Sequence, residues 1–220
     1  MNYSGMPMGM WYLYEKSFRD KLVSVMGYDQ ETADGAAKKA KWKYKSIIDK
    51  LPEFEKEDRF KMNIVSCAML IAFTLNMPDR PSVEMLADYY EKSMMIKPAK
   101  AFFRFMGKNK FTDADIKGMK QTAALNAADR NPYSWNMEFH EYKDGSGYEA
   151  RFTRCGICTL MKEYGLFDLV PAMCRLDYAM AEAGGASEFV REYTLASGGP
   201  YCDCGYKKKS FVKAGTEAGR

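Results

Sequence analysis

A chain of 220 residues, 47% of them hydrophobic, can close a sizeable core without disulfide staples. Its 33 basic and 29 acidic residues leave a formal charge of only +4, so no nucleic-acid partner is expected. The most apolar run, Ile64 to Leu75, falls short of the roughly 20 residues a bilayer span requires, and no membrane partner is expected either.

Met1 to Met10 carries no basic n-region, and Gly5, Pro7 and Gly9 interrupt its apolar residues. A cytoplasmic location with reduced cysteines is therefore the expectation. Helix then follows helix. Asp29 caps a helix that runs to Leu51, where Pro52 stops it, with Ala33, Ala37, Ala40, Tyr44 and Ile47 as its buried stripe and Lys38 to Lys45 on the solvated side. A second apolar helix runs from about Asp58 to Leu75. Ser82 caps a third, and Pro98 opens a short aromatic helix holding Phe102, Phe103 and Phe105. Thr112 with Asp115 starts the next, which fails at Asn131-Pro132.

After Pro132 the period becomes two: Trp135, Met137 and Phe139 face one way, and Glu138, His140 and Tyr142 the other. Lys143 to Gly147 turns this strand into Tyr148, Ala150 and Phe152, a β-hairpin. Two helices follow, Cys155 to about Tyr164 and Asp168 to Ala183, the second placing Cys174 and Asp177 one turn apart. A second strand pair, Phe189 to Ala196 and Tyr201 to Tyr206, closes the pattern. The fold class is α+β: a helical part over 1–132, then hairpin, two helices and hairpin over 133–210 forming an antiparallel sheet packed on helices, with a flexible tail at 211–220.

Five of the six cysteines, Cys155, Cys158, Cys174, Cys202 and Cys204, fall in the last third of the chain. Three roles compete for them. Cys155-x-x-Cys158 with Cys202-x-Cys204 offers four thiolates to zinc, though without the usual paired knuckles. Cys155 at a helix start, or Cys174 beside Asp177, suits a reactive thiol. The third role is plain burial as small hydrophobes. His140 is the one histidine and stands on the polar side of its strand near Glu138, as a general base or a surface residue. There is no phosphate loop, GxSxG elbow or HExxH helix, and no cofactor or resident metal is expected.

The ordered set Arg154-Cys155, Lys162-Glu163-Tyr164-Gly165, Cys174-x-x-Asp177-x-Ala179, Arg191-x-x-Thr194-Leu195-Ala196-x-Gly198 and Cys202-Asp203 resembles the L-2-amino-thiazoline-4-carboxylic acid hydrolase family. Gly156 and Cys204 depart from that pattern, where a proline after the first cysteine and an aromatic after Cys-Asp are the norm. The resemblance implies hydrolytic opening of a small cyclic amidine to a carbamoylated cysteine. It implies Cys174 or Cys202 as reactive thiol, Asp177 or Asp203 as acid/base partner with His140 a further candidate, and Arg191 as a clamp for the substrate carboxylate. Thr194 and Cys155 would complete the binding set. The same element order is also similar to vinyl-reductase-type ligand-binding domains, which makes a non-catalytic small-molecule binder the alternative; a zinc-stabilised interaction protein is a third class. The expected partner is a small-molecule substrate, with homo-oligomerisation open.

Overall fold

The computed structural model describes residues 1–211, and the expected tail at 211–220 lies outside them apart from its first residue. The fold is mixed helix and sheet, as the pattern predicts: nine α-helices among the described residues and one four-stranded antiparallel sheet. The helices are α1 (Met6–Ser24), α2 (Gln30–Lys50), α3 (Lys61–Thr74), α4 (Val83–Met94), α5 (Lys97–Lys108), α6 (Asp113–Ala128), α7 (Gly156–Glu163), α8 (Val170–Cys174) and α9 (Leu176–Gly184). The strands are β1 (Glu138–Glu141), β2 (Gly147–Phe152), β3 (Ser187–Val190) and β4 (Cys202–Lys208), in the order β1-β2-β4-β3.

Contacts divide the chain into two compact units, each built from separate stretches: one from 1–96, 131–134 and 156–176, the other from 97–130, 135–155 and the residues after 176. In the first, α1 to α4 enclose an aromatic core in which Phe18 packs against Phe73, Tyr89 and Tyr90. The capping residues work as their chemistry requires: the Asp29 and Ser82 side chains accept the N–H groups of Thr32 and Met85. Asp58 does not lead α3 from inside the helix. Buried, it accepts from the Phe60 N–H and from the Ser134 hydroxyl, and α3 begins three residues later. The glycines of the amino-terminal stretch do not prevent α1, whose first turn, starting at Met6 with no side-chain cap, holds Pro7.

In the second unit the sheet carries two chemically different faces. Register pairs Tyr148 with Tyr206, Ala150 with Cys204 and Phe152 with Cys202, and all but the half-exposed Tyr206 are buried. The alternate positions pair Glu138 with Arg151, His140 with Glu149 and Arg151 with Asp203. Helix α9 lies along the first face, with Tyr178 edge-on to Phe189 at 4.8 Å between ring centroids.

Two expected elements differ. The strand over Phe189–Ala196 ends at Val190, because the next N–H groups, on Glu192 and Tyr193, donate to the Asp203 carboxylate at 2.8 and 2.6 Å instead of joining a ladder. The single helix over Asp168–Ala183 is a 3-10 turn, α8 and α9, interrupted at Arg175. Cys174 and Asp177 therefore belong to different helices.

Candidate functional site

Sheet and helix of the second unit assemble a thiol, carboxylate and guanidinium cluster on the covered face. Arg191, just past β3, is drawn inward until its side chain is only 7% exposed. Its Nη2 donates to Asp177 Oδ2, from the first turn of α9, and to Cys204 Sγ at 3.1 Å. The guanidinium also lies over the Phe189 ring, 4.6 Å from its centroid. Cys202, two residues before Cys204 and so on the same face, accepts the Leu195 N–H at 3.2 Å and lies within electrostatic reach of Cys155, Asp177 and Arg191.

Burial sets the electrostatics. It raises the Asp177 carboxyl above the usual carboxylate range, with Arg191 pulling the other way. It opposes the charge on Arg191, but the neighbouring Asp177 and Cys204 more than restore it, so the guanidinium stays protonated. It pushes both thiols up, Cys204 furthest, and both are neutral at physiological pH. A nucleophile drawn from this cluster must therefore hand its proton to a base, and Asp177 is the carboxyl within reach.

The remaining candidates stand elsewhere. Asp203 follows Cys202 on a regular strand and takes the opposite face, where it holds the Glu192–Tyr193 turn. His140 is exposed on that same face, 3.3 Å from Glu138 Oε2. Thr194 caps a 3-10 turn at Leu195–Ser197, accepting from the Ser197 N–H. Cys174 ends α8 in the first unit, which also holds Cys158. Among the described residues no three His, Cys, Asp or Glu side chains are grouped to hold a metal ion.

The open face carries a groove of about 590 Å³ lined by Tyr142, Glu149, Val190, Arg191, Asp203 and Lys207, among others. Arg191 is common to this groove and to the covered cluster. Gly205, on β4, lets Tyr142 lie close: a Cβ there would run into the Tyr142 hydroxyl. Burial and the nearby Glu149 and Asp203 raise the Tyr142 phenol to about 12.

Sequence reasoning missed a second charged network in this unit. Lys110 Nζ donates to the Tyr148 hydroxyl at 2.9 Å, and that hydroxyl donates to Asp115 Oδ2 at 2.8 Å. The ammonium sits 3.5 Å from the Tyr206 ring centroid. Phe111, the next residue, takes a left-handed φ of 66° and donates its N–H to Asp115, which turns Lys110 inward. The alternation around Tyr148 flags it as buried, but nothing local to Lys110 announces its partner.

A model of the L-2-amino-thiazoline-4-carboxylic acid hydrolase family matches residues 62–206. No curated protein and no solved structure matches the chain. The matched span covers well over half of the 220 residues and includes the whole sheet up to Tyr206 with Cys155, Asp177, Arg191, Cys202 and Cys204. The chain belongs to the L-2-amino-thiazoline-4-carboxylic acid hydrolase family.

Proposed function

We propose that the protein is a hydrolase that opens a small cyclic amidine of the 2-amino-thiazoline-4-carboxylate type to a carbamoyl-cysteine, with the cluster around Arg191 as its site. The observation that carries this reading is the convergence of Asp177, Arg191 and Cys202 on one side of the sheet. Family membership supports the reaction class.

The reaction adds one water and releases nothing. A nucleophile adds to the C=N carbon between sulfur and nitrogen; the ring nitrogen takes one proton on addition and a second, from the exocyclic amino group, as its remaining bond to carbon breaks, leaving an imine to which water adds, so that the water oxygen ends as the carbamoyl oxygen. Cys202 is the nucleophile in this scheme. Asp177 accepts its proton and passes it to the leaving nitrogen; a carboxyl whose proton affinity burial has raised does this better than a solvated one. Water then cleaves the thiol-bound intermediate and returns the proton to the sulfur. Arg191, in the same cluster as Cys202, holds the substrate carboxylate. The ligand-binding alternative draws on one fact: Asp177 already faces Arg191, so the guanidinium has a carboxylate before any ligand arrives.

Incubation with 2-amino-thiazoline-4-carboxylate, followed by mass spectrometry for the product one water heavier, separates the two. The hydrolase reading predicts turnover that Cys202→Ala abolishes. Saturable binding without product favours the binder.

A further inference from the structure

Helix α5, Lys97–Lys108, has an unusual division of side chains for a helix of a folded unit. Phe102, Phe105 and Met106 are 56%, 61% and 46% exposed, and only Ala99 and Gly107 are buried. At 3.6 residues per turn the three large apolar side chains share one face, while Lys97, Lys100, Arg104 and Lys108 form a row on the opposite side. The twelve residues contain no acid. Among the described residues none of the four cations has an ion-pair partner; the salt bridges form elsewhere.

The way the helix is attached explains why these side chains point outward. Gly107 packs backbone to backbone on Gly184 at the end of α9, so closely that a Cβ on Gly107 would run into the Gly184 carbonyl. The small residues make the contact, and Phe102 and Phe105 are left on the far side. A protein core would have used them the other way round.

We propose that α5 is a membrane-surface helix that docks the protein on an anionic lipid bilayer, its phenylalanines entering the boundary between headgroups and acyl chains and its cations meeting lipid phosphates. No helix among the described residues is long and apolar enough to cross a bilayer, and α5 lies in the interface instead of spanning it. The two signals that stable but reversible peripheral binding requires, apolar insertion and a basic row, are both present on this one element. Charge chooses between lipid and a second copy of the chain. Two copies meeting through the apolar face would leave both basic rows outside the contact with nothing acidic on either helix to meet them, whereas a helix lying in the plane of the headgroups sets its row among lipid phosphates. An anionic bilayer complements all four.

The test uses the full chain and sedimentation with vesicles of phosphatidylcholine alone or with about a third phosphatidylglycerol, a composition anionic enough for basic residues to sense. Binding to the anionic vesicles only, weakened at least about tenfold by Lys100→Glu with Arg104→Glu and by Phe102→Ser with Phe105→Ser, is the expected result. Lys38→Glu with Lys41→Glu, on α2, should leave it within about twofold. The exposed positions keep all these variants folded, which circular dichroism checks. The proposal is overturned by absence of binding, by equal binding to neutral vesicles, or by equal weakening from the α2 variant. It is also overturned if the phenylalanine variant instead abolishes a concentration-dependent dimer in sedimentation velocity.

Discussion

Asp177→Asn takes away the carboxylate that the Arg191 guanidinium faces at 7% exposure. The cost is about 3 kcal/mol, the lower end for a broken buried pair, because Asp177 itself keeps 29% exposure. Replacing both, Asp177→Leu with Arg191→Met, should recover most of the loss, since an apolar pair needs no desolvation; urea midpoints of the three proteins measure this. Lys110 gives a titration with a defined sign. Burial lowers its ammonium to about 8, against a pull from Asp115. An unfolded lysine titrates near about 10.4, so between the two values the unfolded chain binds more protons and the stability this group contributes rises with pH. Below about pH 8 both states are charged and the desolvation cost is fully present. The Lys110 ε-carbon resonance should show a midpoint near 8; a midpoint at the solvated value would show that the ammonium is hydrated.

At the scale of elements, the glycine contacts are the sharpest constraint. Gly107→Ala forces α5 away from the Gly184 backbone and should destabilise the protein by about 2 kcal/mol, read from thermal or urea unfolding, although alanine is otherwise the better helix former. What the sequence made legible follows the same logic. Asp29, Ser82 and Thr112 mark true helix starts because a cap is a local interaction between residues three apart. The hairpin of β1 and β2 is local as well, and period two identifies it. The end of β3 was not legible, because it depends on Asp203, which captures two N–H groups from a segment about ten residues away. Nor was the break at Arg175: no proline or glycine announces it. Within the site, the pairing of Asp177 with Arg191 is one of the few partners the charges allow. The face of Asp203 follows from strand parity once Cys202 is placed, yet Cys202-Asp203 as a motif suggests two groups acting together.

For the molecule as a whole, two compact units share the chain, and the family match draws on both. The sheet-bearing unit holds the Arg191 cluster and Lys110's network together: Tyr206 is within electrostatic reach of Asp177, Cys204 and Arg191 while its ring receives the Lys110 ammonium. On the proposed function, the chemistry belongs to the covered side of the sheet and not to its solvated side. The most direct measurement is kcat/KM for 2-amino-thiazoline-4-carboxylate with Asp177→Asn and His140→Ala compared against the parent protein. A general acid–base role for Asp177 predicts a loss of about 10²-fold or more in the first variant and a change within about twofold in the second. Full activity in Asp177→Asn, or a large loss confined to His140→Ala, would contradict it.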